Sequence, residues 1–193
     1  EIYERISHIN NNVPNIDKAV LSIHCQDDLG LATANSLAAI SAGAREVQCT
    51  INGLGERAGN APLEEVVIAI NIKNYPFENR INTVELKKIS EMVSKKSGFV
   101  VAPNKAIVGS NAFRHGSGIH QDALLKSSDT YEIFPPEMVG AKNEKIVIGP
   151  HSGRSGLKFK LQELGYSLSS DVLDIVYDKI MSFGAVKKEF SNE

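Results

Sequence analysis

The residues best placed for chemistry follow a short apolar run at 20–23, rich in β-branched side chains, which reads as a buried strand. It ends in His24, Cys25, Gln26, Asp27 and Asp28. Side chains two apart on a strand point to the same side, so His24 and Gln26 should project together while Asp27 faces away. A strand-end imidazole can accept or donate a hydrogen bond, move a proton near neutral pH or hold a metal. A second concentration of interest is the glycine-rich stretch 52–60, NGLGERAGN, which closes on Asn60. Gly53, Gly55 and Gly59 allow unusual dihedrals and a close backbone approach to a ligand, although such spacing alone is common in turns. Glu56 and Arg57 within it could form a structural ion pair. Farther on, residues 113–131 make a polar, histidine-bearing stretch.

The elements that must position these groups alternate. Small residues with Leu37 and Ile40 give a helix over 32–42 that stops at Gly43, a left-handed C-cap candidate. A second strand is predicted at 46–51. Leu63, Val66, Val67 and Ile70 then resume helical spacing. Strand, helix, strand, helix argues for an α/β architecture of parallel strands with crossover helices, in which polar residues at the C-terminal ends of strands are the expected place for chemistry. Before this unit, Ile2, Ile6 and Ile9 predict the tail of a helix. After it, Asn82 or Thr83 can cap a helix with Leu86, Ile89 and Val93 on one face, ending at Gly98. The chain should leave its first domain between residues 99 and 111. Pro135 and Pro136 mark a turn, and Ile146, Val147 and Ile148 a possible small strand. Ser152 can cap a helix with Leu157, Leu161 and Leu164 inward. Ser169 or Ser170 can cap a last one with Val172, Ile175, Val176 and Ile180 inward, and the terminal KKEFSNE should fray.

A length of 193 residues, 42% of them hydrophobic, allows one or two domains and a sizeable core. The formal net charge of −2 gives no footprint for nucleic acid. No apolar run approaches the roughly 20 residues that cross a bilayer, and the polar amino end is no signal peptide. Two cysteines, Cys25 and Cys49, make no disulfide framework; a reducing, cytoplasmic setting is the simpler expectation, with each thiol packed beside its strand. Without an initiator Met, the chain is expected to be a piece of something longer.

The phrases HCQDDLGLATANSLAAISAGA, INGLGERAGNAPLEE, NKAIVGSNAF and SGIHQDALLK closely resemble those of the 2-isopropylmalate synthase family, with homocitrate and citramalate synthases as looser relatives. The resemblance runs from about residue 1 to 166. It implies the C-terminal portion of a TIM (β/α)₈ barrel over residues 1–100, a linker over 101–150, and a small, mainly helical subdomain over 151–193. It implies an acyltransferase that condenses acetyl-CoA with a 2-oxo acid, 3-methyl-2-oxobutanoate in the leucine pathway. A divalent metal (Mn²⁺, Mg²⁺ or Zn²⁺) is implied at His24, position 26 and Asn60. Histidine is the family residue at 26, and the neutral amide of Gln26 weakens the site. Gly53, Gly55 and Gly59 are implied to lie near the cofactor. His120 and Tyr131 match a second catalytic group, with His115 in support; an imidazole suits proton transfer and a phenol can donate to a developing oxyanion.

A full barrel takes about 250 residues. The resemblance also implies a metal-binding Asp in an Arg-Asp pair, and no such pair occurs in this sequence. The chain alone is therefore expected to be inactive and to associate as a homodimer or with the missing barrel half. The alternatives are a citramalate or homocitrate synthase, and a truncated, non-catalytic homologue that acts as a binding partner.

Overall fold

The computed structural model describes residues 1–76, 79–127, 131–142, 146–183 and 190. The chain divides into two compact units, Glu1–Gly109 with Met138–Ala141, and Ser110–Glu137 with Lys142–Glu193.

The first unit is α/β. It runs α1 (Ile2–Asn12), β1 (Ser22–His24), α2 (Ala32–Ser41), β2 (Glu46–Gln48), α3 (Leu63–Ile72) and α4 (Leu86–Ser97). β1 and β2 are parallel, with Ser22 opposite Glu46, Ile23 opposite Val47 and His24 opposite Gln48. Small residues let α2 lie close beneath them: Ala32, Ile40, Cys25, Ala61 and Val66 form one core cluster, against which Ile23, Leu37 and Val47 pack. Ile6 of α1 joins Ala39, Ala42 and Ala44 in a second. Each buried Val or Ile here contributes about 1.5–3 kcal/mol relative to exposure. Both cysteines are free, and Cys25 is buried in the core.

The strands are shorter and more open than the sequence predicts. β1 begins at Ser22, leaving Val20 67% exposed, and only Ile23 of the strand turns toward the core. Ser22 and His24 are exposed, as are Glu46 and Gln48 opposite them, so the expected buried strand is half-buried. The polar face is knitted by Ser22 Oγ donating to Glu46 Oε1 at 2.7 Å and Gln48 Nε2 donating to Ser22 Oγ at 3.2 Å. β2 stops at Gln48 because Ile51–Gly53 coils into a 3₁₀ turn with Asn52 at φ 60°.

Helix ends divide between expectation and correction. Gly43 and Gly98 both take positive φ just beyond α2 and α4. Thr83–Glu85 forms a 3₁₀ turn before α4, and neither Asn82 nor Thr83 caps through its side chain; Glu85 N–H bonds the Asn82 carbonyl instead.

The second unit holds α5 (Gly118–Lys126), α6 (Arg154–Glu163) and α7 (Ser170–Phe183). Ile146, Ile148 and Leu157 form its core, packed by Phe159, Leu161, Leu173, Val176, Tyr177, Ile180 and Phe190. Half of the expected inward face of α7 holds: Val176 and Ile180 pack on this core, whereas Val172 and Ile175 are exposed and Leu173 and Tyr177 take their place. Leu164 is exposed as well. The expected small strand at 146–148 amounts, among the described residues, to one parallel bridge between His115 and Ile146. Apart from Phe190, whose N–H bonds Ile148 O at 3.0 Å, the KKEFSNE tail lies outside the described residues.

Candidate functional site

The C-terminal end of β1 and the glycine-rich loop after β2 meet. Gln26 forms an antiparallel bridge with Asn60, Asp27 N–H bonds Gly59 O at 2.9 Å, and Ala61 N–H bonds Cys25 O at 3.1 Å. His24 and Gln26 project to one side as the strand periodicity requires, with Gln26 Nε2 3.4 Å from His24 Nε2. Asp27 turns away, and its Oδ1 accepts the N–H of Ala32 at 2.9 Å, satisfying the first amide of α2.

The loop glycines are demanded by the loop itself. Gly59 sits at φ +91°, and a Cβ there would overlap the Gly53 carbonyl oxygen. A Cβ on Gly55 would overlap the Asn60 carboxamide. Asn60 Nδ2 donates to Leu54 O at 3.0 Å, which aims the amide, while Oδ1 is buried without a hydrogen-bond partner. A buried, unpartnered carbonyl-type oxygen is a group that a cation would satisfy.

The donor set fits a divalent cation in kind: an imidazole from His24, Oδ1 of Asn60, and the Gln26 amide, whose half-turn exchanges nitrogen for oxygen at its tip. None of the three is a carboxylate or a thiolate. No group of three or more His, Cys, Asp or Glu that could hold a metal occurs among the described residues. Affinity for a cation would have to come from dipolar ligands, and would be weaker than a carboxylate or a second imidazole would give.

Two contacts that sequence reading missed hold this end together. Arg57 binds Asp28 in a fork, Nε to Oδ1 at 2.8 Å and Nη2 to Oδ2 at 2.9 Å, joining the loop after β1 to the glycine-rich loop. The expected Glu56–Arg57 pair is the longer one, at 3.8 Å. Arg57 holds the Asp28 carboxyl below its usual range through its hydrogen bond and charge. Beneath the loop, Glu64 is only 1% exposed; its Oε2 accepts Asn52 N–H at 3.1 Å and its Oε1 has no partner. Burial raises its pKa, against the pull of the Asn52 N–H and Lys105. Burial, with the Glu64 charge, raises that of Cys49. Asn52 is also clasped by Ser90 of α4, Oγ to Oδ1 at 2.5 Å and Nδ2 to Ser90 O at 3.0 Å. A cleft of about 230 Å³ opens between this loop and residues 99–105, with Arg57 and Lys105 on its wall.

In the second unit, His120 lies on the exposed side of α5. Its ring centroid is 4.5 Å from that of Tyr131, and His115 stands 6.4 Å from His120 and 6.1 Å from Tyr131. The three rings, spread over 17 positions of sequence, share one solvent-facing corner. Ser152 does not cap α6; its hydroxyl is buried and meets Gly149 N–H at 3.0 Å and Val147 O at 3.1 Å. Lys126, hydrogen-bonded to Asp122, holds that carboxyl below its usual range.

Residues 1–93 match the model of the HMGL-like family, and residues 107–188 match that of the homocitrate synthase post-HMGL domain-like family. The 2-isopropylmalate synthase of Geobacillus kaustophilus is 49% identical over 195 residues, covering 100% of this chain and 38% of the relative. That of Bradyrhizobium diazoefficiens is 53% identical over 183 residues, covering 94% of this chain and 35% of the relative. That of Dictyoglomus turgidum is 50% identical over 193 residues, covering 100% and 38%. The chain spans little more than a third of the length of these curated relatives. No helix among the described residues is long and apolar enough to cross a membrane. Two family models follow one another along the sequence, and relatives are about half identical over its whole length: the chain belongs to the 2-isopropylmalate synthase and homocitrate synthase family.

Proposed function

We propose that this chain is the last portion of a TIM-type barrel (residues 1–100), the linker (101–150) and the helical subdomain (151–193) of a 2-isopropylmalate synthase. One observation carries the reading. His24 and Gln26 project together at the end of β1, Gln26 is bridged to Asn60, and Asn60 carries a buried oxygen with no hydrogen-bond partner, in a chain about 50% identical to proteins of that name.

The reaction is the condensation of acetyl-CoA with 3-methyl-2-oxobutanoate and water to give 2-isopropylmalate and CoA. The acetyl methyl group loses a proton, its carbon bonds to the keto carbon, the keto oxygen gains a proton, and water cleaves the thioester. His24, Gln26 and Asn60 would hold a divalent cation, which would supply Lewis-acid polarisation of the keto oxygen. Asn60 is kept on aim by Leu54 O, and the Arg57–Asp28 fork keeps the two loops in register. The glycine-rich loop and its cleft offer backbone and two cationic side chains to the acetyl-CoA. His120 moves a proton, and Tyr131 donates its phenol proton to an oxygen gaining charge. The remaining barrel strands, or a second copy, complete the site.

The test is CoA release, read with a thiol reagent, from acetyl-CoA with 3-methyl-2-oxobutanoate or pyruvate, with and without Mn²⁺ or Mg²⁺. The chain alone should be silent. Joined to the preceding portion of the Geobacillus kaustophilus relative, it should turn over 3-methyl-2-oxobutanoate in a metal-dependent way. Preference for pyruvate would assign a citramalate synthase instead. Gln26 motivates a second reading, a non-catalytic homologue that binds an intact synthase. Silence of the joined chain until Gln26→His is made would favour it, and co-purification of the chain with an intact synthase would support the binding role.

A further inference from the structure

We infer that Gln121 is the positioning residue of the His115, His120 and Tyr131 corner; the inference rests on the proposed proton-transfer role of His120. Gln121 follows His120 on α5 but faces inward and is 0% exposed. A wholly buried carboxamide needs partners, and Nε2 has them: it donates to His115 O at 2.9 Å and to Val147 O at 2.8 Å, with Ser152 Oγ at 3.2 Å. Two carbonyl acceptors facing one nitrogen fix which end of the amide points there, since a flipped amide would set oxygen against oxygen. One side chain therefore ties the first turn of α5 to the backbone of His115 and to the segment paired with it.

The surroundings are cut to fit this amide. Oε1 is buried without a hydrogen-bond partner and lies where a side chain at position 156 would begin, so that a Cβ on Gly156 would overlap it. Gly118, at the start of α5, leaves the same kind of room: a Cβ there would stand 2.7 Å from Gly153 N, and its own N–H bonds His151 O at 2.8 Å. The phrases SGIHQD and HSGRSG thus lock together through two glycines and one glutamine. A core needing only to be filled would take Leu or Met here; a carboxamide with one orphaned oxygen costs stability. That cost is consistent with a site holding His115 and His120 at a set separation.

The experiment uses the 193-residue chain and two variants. Gln121→Met keeps the length and removes the donors. Gly156→Ala keeps the glutamine and displaces it, while Ala is the better helix former. Thermal unfolding and the amide spectrum of the whole chain, second unit included, report folding. Cross-relaxation between the His120 and Tyr131 rings, 4.5 Å apart between centroids, reports the corner. Both variants should stay folded and lose that cross-relaxation. If Gln121→Met does not fold, Gly156→Ala decides alone. A folded variant that retains the ring contact overturns the positioning role.

The CoA-release assay on the joined chain then separates the two ideas. The variants should lower kcat about a hundredfold, as expected for a misplacement near 1 Å, with KM little changed. Lost ring contact with unchanged kcat overturns the role assigned to His120 and leaves Gln121 as a purely structural pin.

Discussion

Replacing Glu64 by Gln tests whether the glycine-rich loop rests on a buried carboxyl that prefers to be neutral. The side chain is 1% exposed, one oxygen accepts the Asn52 N–H at 3.1 Å, and the other has no partner. Burial raises its pKa above the ordinary value of 4.5. The folded state therefore holds the proton to higher pH than the unfolded state does, and wild-type stability falls as pH rises from 4.5 through the raised folded value. Above that window the penalty is fully expressed. Gln cannot ionise, yet it keeps the acceptor for Asn52 and fills the same volume, so near pH 4.5 variant and wild type should match. At the alkaline end of the range the wild type should be the less stable protein, by about 1–3 kcal/mol once the orphaned oxygen is charged. Urea unfolding, followed by circular dichroism across this range, gives the difference directly. Cys49 supplies a second readout. The Glu64 charge helps to raise its pKa, so alkylation of this thiol at pH 8 should be faster in the variant. A stability difference that does not change with pH would refute the reasoning, and so would a wild type that is the more stable protein at the alkaline end.

Two further perturbations address the same end of the first unit. Gly59→Ala must place a Cβ against the Gly53 carbonyl at φ +91°, and that carbonyl accepts the Asn60 N–H at 2.9 Å. Left-handed strain plus the disturbed bond predicts a loss of about 2–3 kcal/mol in urea unfolding, and a loss under 0.5 would show that the loop yields freely. Gln26→His replaces an amide by an imidazole beside His24, and calorimetric titration of the chain with Mn²⁺ should show at least about tenfold tighter binding. Equal affinity in both proteins would remove Gln26 from the cation site.

The legible parts of this chain are those where one local rule decides. The helix pattern of Leu86 to Val93, the stop at Gly98 and the common side of His24 and Gln26 each follow from periodicity or a glycine, and the structure keeps them. The resemblance carried the family. What escaped depends on partners distant in sequence. α5 was not predicted because it opens on a glycine and buries one polar residue, Gln121, so no apolar stripe announces it. On α7 the periodicity places Val176 and Ile180 inward but not Val172 and Ile175, because with Val172, Leu173, Ile175, Val176 and Ile180 all apolar the choice falls to what Ile148 and Leu157 can reach. Ser152 had the composition of a cap but was drawn inward by Gln121. Arg57 had a neighbour of opposite charge in Glu56, and geometry gave it Asp28, 29 positions away.

The two strands, described above as a parallel pair, are also the only sheet among the described residues, and each has one side with no partner strand. Their outward N–H and C=O groups face no partner strand, and an extended chain can pair with them. Self-association through them grows with the square of protein concentration while folding does not. Dilution therefore becomes a variable as important as temperature in preparing this chain, and a strand supplied in trans should improve its solubility before it restores any chemistry.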